Sequence, residues 1–565
     1  MCGIVGIWNQ ADSETVAKMT RSVSHRGPDG LDWTVIGNNS FGASRLAIIG
    51  NPDASAIFHD LESNTVLMLN GEIYNIESIR SDLEMPGCVL HADMESEILF
   101  RLYKRDGIDF VNKLQGMFAI VIADDNHMVL ARDRFGIKPL YYTNLSNRVL
   151  FGSEMKAILE HPEFIGNLDL TSLEEITVFG YVYSPDRTLF EGIKQVEPGS
   201  LLVCTREKQE SKRYWQAPEA KYFNPKRHLD YPSAVSQLRT LIIESMDNIL
   251  SHGNQPFGIY LSGGIDSTIL TLVARNILGY PVTTFTLSDG SDTADLLAAR
   301  KVATTLNTRH IEHKVSVNDY FNKLEHFVEH YEGLVAGGVF DILGGVAFHL
   351  MSETVSSYVK VALSGEGADE LFGGYYWIYT HPLGFSDRIR SSLNNLQSNS
   401  EGIRQIVNHL FPLPEDEFIY RRKLFDVLVR GGLSNYHLQS VDRSAGAFGF
   451  EIRPAYLHDD ISDFALKLPI EYKVPDKQRT KRILKEAFKP ELEKLGLDWV
   501  PGRLKEGMPA AISNLAPIIN QTIENSIDDS VVTRHVLRNY LLSKADIYYY
   551  ELFKKAFLPE YEYAL

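Results

Sequence analysis

A cysteine at position 2, followed at once by the apolar run GIVGI, is the first residue whose type and place suggest chemistry. Chain ends fray unless something ties them down, so a thiol there is useful only if the run behind it is a buried strand. Once Met1 is trimmed, Cys2 carries both a thiol and a free α-amine. Those are the two groups an N-terminal nucleophile uses, the amine acting as its base. Downstream, LNGEIYN places Asn70 and Gly71 at the end of a strand-like run, where a side-chain amide and a backbone N–H can form an oxyanion hole. SRLAII adds Arg45, a suitable partner for a substrate carboxylate. Taken singly, Arg45 reads equally as a structural or surface arginine.

The second half carries a different chemistry. SGGIDS (262–267) follows an apolar run and opens a helix, so its backbone N–H groups and the helix start make an anion site. It lacks the Gly-Lys-Ser/Thr ending of the commonest triphosphate loop. Asp266 is placed to hold Mg²⁺ among phosphate oxygens. SGEGADELFGGY (364–375) is a second Gly-rich loop after another strand-like run. In a doubly wound sheet such loops meet at one crevice, so Glu366, Asp369 and Glu370 would face the first loop. Carboxylates beside a triphosphate imply an intervening Mg²⁺. RTKRILKEAF (479–488) is basic and amphipathic, which by itself reads as a solvated face. His310 and His313 lie three apart on a strand, on opposite faces, which is a poor zinc spacing.

These residues must be positioned by more than one core, because 565 residues exceed what one core supports. The first ~200 residues alternate short apolar runs with Asn, Asp and Gly turns, as two sheets flanked by helices would. The helix ESEILFRLYKRD is predicted to stop at Gly107. The stretch 206–231 is charged and aperiodic and reads as a linker between a domain at 1–205 and another at 232–565. The later part alternates strands with helices, as a parallel α/β sheet requires, and becomes mostly helical beyond about residue 400. A net charge of −17 argues against a nucleic-acid surface. Three cysteines offer no disulfide framework, and no apolar run is long enough for a membrane span. The expected setting is the cytoplasm.

The order MCGIVGI, SHRGPDG, RLAII, LNGEIYN, LQGMFA, RDRFGIKPLYY, SEMKAI, LSGGIDS, LSGEGADELFGGY, TKRILKEAF spans nearly the whole chain. It resembles the asparagine synthetase B family, in which a class II glutamine amidotransferase is fused to an ATP-pyrophosphatase synthetase domain. The resemblance implies an αββα N-terminal-nucleophile sandwich, a doubly wound ATP-pyrophosphatase sheet, and a homodimer. It further implies that Cys2 attacks glutamine, with Asn70 and Gly71 holding the oxyanion and Arg45 the glutamine carboxylate. Released ammonia would pass through a tunnel to an acyl-adenylate made from ATP and a carboxylate, which in this family is aspartate. There Asp266 and Asp369 would bind Mg²⁺, Lys481 would neutralise transition-state charge, and Glu366 would be the base for ammonia attack.

Three segments depart from the family pattern. MESEIL puts Glu95 where an aspartate normally meets the glutamine ammonium, with Asp93 as the alternative. YEGLVAGGVFDILGG is longer and more apolar than usual, and in EIRPAYLHDD His458 replaces an aspartate. Both of these are expected to shape the acceptor pocket. The alternative function is therefore the same chemistry on another carboxylate, such as a uronic or natural-product acid. A ring-closing β-lactam synthetase, which uses no glutamine, is disfavoured by Cys2 with LNGEIYN.

Overall fold

The computed structural model describes residues 1–49, 55–84, 95–218, 229–251, 255–334, 342–380, 382–396, 401–411, 425, 427–476, 479–504 and 512–558. Twelve strands build the first half: β1 (Cys2–Trp8), β2 (Gly30–Ile36), β3 (Asn39–Arg45), β4 (Ile57–Asp60), β5 (Thr65–Ile73) and β6 (Gly116–Ala123); then β7 (His127–Arg132), β8 (Tyr141–Leu145), β9 (Arg148–Gly152), β10 (Lys194–Gln195), β11 (Ser200–Thr205) and β12 (Gln209–Arg213). They form two six-stranded sheets, ordered β10-β8-β9-β1-β3-β2 and β12-β11-β7-β6-β5-β4.

The period-two alternation of β5 explains the layering. Val66 and Met68 pack between the sheets with Ile4 of β1 and Phe41 of β3. Leu67 and Leu69 turn outward onto Ile98 and Leu99 of the helix Glu95–Asp106. On the far side of the first sheet, Val16 and Met19 of the helix Ser13–Ser22 cover Val5 and Ile7. Asp12 caps that helix by accepting from Thr15 N. The result is the expected αββα sandwich.

The second half holds a parallel sheet of β13 (Phe257–Tyr260), β14 (Thr283–Ser288), β15 (Arg309–Lys314), β16 (Val361–Ser364) and β17 (Glu451–Pro454), ordered β15-β14-β13-β16-β17. The direction of winding reverses between β13 and β16, so the loops after these two strands leave on either side of one crevice. Gly263 in the first loop has φ +70°, and a Cβ there would lie 2.6 Å from the backbone of Ala298. Only glycine lets the loop lie against that neighbouring helix.

One sequence expectation needs correction. Residues 209–213, read as linker, are edge strand β12, paired with β11 from Ser200↔Arg213 to Cys204↔Gln209. Their polar composition fits an edge strand with both faces near water. The region beyond residue 400 is mostly helical but still returns one strand, β17, to the sheet. Its residues Glu451 and Arg453 are charged yet buried, so no apolar pattern announces it.

Candidate active sites

The chain start does not fray. Gly3 N donates to Ser44 Oγ at 3.1 Å and Ile4 N to Ser153 Oγ at 3.0 Å, holding β1 in place. Cys2 N donates to Asn70 Oδ1 at 2.9 Å, and Arg26 Nε donates to the Cys2 carbonyl at 3.2 Å. Asn70 is fully buried, and its Nδ2 finds no partner among the described residues. A buried amide N–H left unpaired is costly, so a ligand oxygen is its natural complement. Gly71 next to it has φ +145°, and a Cβ would stand 2.0 Å from the Met117 carbonyl. Arg45 lies opposite Cys2 in the β1–β3 register, and its guanidinium reaches the Ile49 carbonyl at 3.4 Å. Thus Cys2, Arg45, Asn70 and Gly71 converge.

Two residues escaped the sequence reading. Glu72, two beyond Asn70, is buried, and among the described residues its Oε1 has no hydrogen-bond partner, nor has Oε1 of Glu95. Burial pushes the Glu72 carboxyl up to about 7, against the pull of Arg453 and with a further push from Glu451. Burial and Glu72 likewise hold the Glu95 carboxyl well above its ordinary value. Two such carboxylates side by side favour a cation between them. Asp93 lies outside the described residues. Arg26, in SHRG, is the other: buried, it also binds Glu154 at 2.9 Å and Asp442 of the second half at 2.8 Å. A polar residue just before a glycine-rich turn was its only signal.

Charged side chains continue across the boundary between the halves. Arg453 donates to Glu72 at 2.9 Å and to Glu451 at 3.0 Å. Glu451 in turn lies 3.2 Å from the Met1 ammonium and 3.3 Å from Lys138 Nζ, all buried. His458 stacks on Tyr74 of the first half with ring centroids 5.4 Å apart, and its Nδ1 meets Ser245 Oγ at 3.1 Å. It therefore lies at the boundary between the halves. Of the segment 331–345, residues 335–341 lie outside the described residues; Glu332 accepts the N–H groups of Met155 and Lys156 and pairs with Arg443. His25, Glu154 and His330 cluster closely enough to suggest a metal. Lys156 Nζ already stands among them, 3.0 Å from Glu154 and 3.1 Å from His330, in the cation's place.

At the crevice of the parallel sheet, Lys481 Nζ bridges Asp266 Oδ2 at 2.6 Å and Asp369 Oδ1 at 2.5 Å. Lys481 has φ +53°, a strained value for a non-glycine residue, held where the chain enters the helix Arg482–Ala487. The two glycine-rich loops and the basic segment thus meet at one ammonium. The residues flanking Lys481 in the chain border a cavity of about 600 Å³ that mixes Arg479, Arg482, Lys485 and Arg503 with Glu486, Glu493 and Asp498. The serines of SGGIDS tie their own loop, with Ser262 N donating to Ser267 Oγ and Gly264 N to Ser262 Oγ. Tyr456 anchors the loop from behind by donating to the Asp266 carbonyl at 3.0 Å. Glu366 faces His437 Nδ1 at 3.9 Å.

An N-terminal-nucleophile sandwich joined to a doubly wound sheet with two Gly-rich loops defines a two-centre ligase. Residues 1–215 match the family model described as a glutamine amidotransferase domain, and residues 237–558 match that described as asparagine synthase. The chain belongs to the asparagine synthase family. It is 29% identical to asparagine synthetase [glutamine-hydrolyzing] 1 of Bacillus subtilis, covering 96% of this chain and 92% of that one. The B. subtilis asparagine synthetase [glutamine-hydrolyzing] 3 is also 29% identical, over 86% of this chain and 84% of its own. Asparagine synthetase [glutamine-hydrolyzing] 1 of Arabidopsis thaliana is 27% identical over 99% of this chain and 87% of its own. Among solved structures, a glutamine phosphoribosylpyrophosphate amidotransferase from B. subtilis aligns at a TM-score of 0.30 and 20% identity, covering 50% of this chain and 65% of that one.

Proposed function

We propose that the chain converts aspartate to asparagine, drawing nitrogen from glutamine and energy from ATP, with AMP and pyrophosphate as co-products. What supports this reading is the presence in one chain of a Cys2 nitrogen held by Asn70 and a lysine held between Asp266 and Asp369. With Met1 removed, Asn70 Oδ1 holds the Cys2 α-amine, whose ordinary pKa of about 7.8 suits a base near neutral pH. The Cys2 thiol loses its proton to that amine and attacks the glutamine side-chain amide. Asn70 Nδ2 and the Gly71 N–H donate hydrogen bonds to the oxyanion, the amine returns the proton to departing ammonia, and water then hydrolyses the thioester, releasing glutamate and the Cys2 thiol. Arg45 holds the glutamine carboxylate, while Glu72 and Glu95 face its ammonium.

At the second centre the acceptor carboxylate attacks the α-phosphorus of ATP, and pyrophosphate leaves toward the SGGIDS loop. Lys481 neutralises the charge that develops there. Asp266 and Asp369 would hold Mg²⁺. They fit it, being hard oxygen donors that already converge on one cation. When bound, Mg²⁺ supplies shielding of the phosphate charges. Ammonia then reaches the acyl-adenylate with Glu366 as base. In this reading residues 1–205 with strand β12 are the glutamine-hydrolysing half and 232–565 the ligase half. No described helix is long and apolar enough to cross a membrane; a cytoplasmic homodimer is the setting that accompanies this reading.

The test is AMP formation with aspartate against a panel of uronic and other carboxylic acids. Aspartate is expected to turn over, and silence with aspartate beside turnover of another acid overturns the acceptor. Cys2→Ala should lose glutamine-driven synthesis and keep ammonia-driven synthesis; loss of both overturns the two-centre scheme.

A further inference from the structure

We propose that His437 is the proton acceptor behind Glu366, resetting that carboxylate as ammonia attacks the acyl-adenylate. This rests on the function proposed above. His437 lies on the π-helix Leu428–Leu438, outside every motif singled out in the sequence. Its Nδ1 faces Glu366 Oε2 at 3.9 Å, and its Nε2 meets the Tyr375 hydroxyl at 3.1 Å. The Tyr375 hydroxyl donates to Glu370, a carboxylate 2% exposed, so its proton is committed there. The Tyr375 oxygen then accepts, which requires the hydrogen of His437 on Nε2. That leaves Nδ1 as the basic nitrogen, aimed at Glu366. The ring also stacks on Tyr375 and meets the edge of Tyr436 on the same helix, and its Nε2 lies 3.8 Å from Glu370 Oε1.

The proton balance is simple. Ammonia adds to the acyl carbon, and the ammonium so formed gives one proton to Glu366. The C–O bond to AMP breaks with its electron pair on the phosphate oxygen, and Glu366 passes the proton to His437 Nδ1. The imidazolium is held by Glu370 through Tyr375 and releases its proton to solvent, since His437 is 22% exposed. A gap of 3.9 Å is longer than a hydrogen bond, but catalytic contacts commonly tighten only with substrate in place, or run through one water.

The experiment separates the two halves of the ligase reaction in full-length His437→Gln. Aspartate-dependent ATP–pyrophosphate exchange without a nitrogen source should be unchanged, as should glutaminase activity. Ammonia-dependent asparagine formation should fall about 100-fold, the scale of a lost acid–base group, with partial rescue by imidazole. Tyr375→Phe, which releases the tautomer but keeps the ring, should show a smaller fall in the same step. An equal fall in exchange and amide formation overturns the proposal, as does unchanged amide formation or a fall that imidazole does not restore. Absence of exchange in the native chain overturns instead the choice of aspartate, and this inference with it.

Discussion

Arg453 on strand β17 donates through Nη2 to Glu72 Oε2 at 2.9 Å, joining the ligase half to the carboxylate beside the proposed glutamine site. Both side chains are out of water, and the same guanidinium also binds Glu451 and the Ile249 carbonyl. Burial of this kind makes breaking the pair costly. Arg453→Met should lower stability by roughly 3–5 kcal/mol, measured by urea unfolding. Without the guanidinium the Glu72 carboxyl moves further up and is neutral at physiological pH. The KM for glutamine should then rise at least about tenfold, one pKa unit being about 1.4 kcal/mol, while ammonia-dependent AMP formation persists.

The Glu72 carboxyl, pushed up to about 7 by burial, predicts a pH dependence for glutamine use. Its charged form, which would hold the substrate ammonium, dominates only above that value. The KM for glutamine should fall as pH rises from 6 to 8, read from steady-state glutaminase kinetics. Glu72→Gln should raise KM and flatten that profile. An unchanged profile in this variant removes Glu72 from the ammonium site.

Lys481→Met takes away the cation that Asp266 and Asp369 share. Loss of a preorganised transition-state charge typically costs about 10²–10³ in rate, so pyrophosphate release should drop by that order with either nitrogen source. Glutaminase activity should remain measurable, because Cys2 and Asn70 lie in the other half. Retained pyrophosphate release would exclude the charge-neutralising role.

Asp459 predicts a pH effect on stability rather than catalysis. It accepts from Gly116 N at 2.8 Å and pairs with Arg134 Nε at 2.7 Å across the boundary between the halves. Burial nevertheless pushes its carboxyl up to about 7, with Arg134 pulling it down. A carboxyl raised in the folded state binds its proton more tightly there than when unfolded. Its stabilising contribution is complete below the unfolded value near 3.9 and is lost as pH rises through about 7. The melting temperature of the native chain relative to Asp459→Asn should therefore decline between pH 4 and 7 and level off above. A difference independent of pH would show that Asp459 is ionised throughout.

Much of this is legible in the sequence. The alternation in TVLMLNGEI, with Val66 and Met68 on one side and Leu67 and Leu69 on the other, specifies a strand buried on both faces. After SGGIDS, Ile269, Leu272 and Val273 fall on one helical face, and all three are buried. Gly107 ends the helix at Asp106, with φ +62°. What stayed hidden were short elements whose residues are charged. Strand β17 is four residues long, and two of them are Glu451 and Arg453.

The sequence by itself determined which groups are present and their local settings: a cysteine before a buried strand, an Asn-Gly pair at a strand end, and two Gly-rich loops opening helices. Those depend on neighbours in the chain, through periodicity and backbone freedom. Only the tertiary structure decided which groups share a charge. Lys481 meets Asp266 and Asp369 because the winding reverses between β13 and β16, and Glu72 is held by a residue 381 positions later. Such pairing is a matter of distance and dielectric. Neither is written in the chain until the sheets have packed.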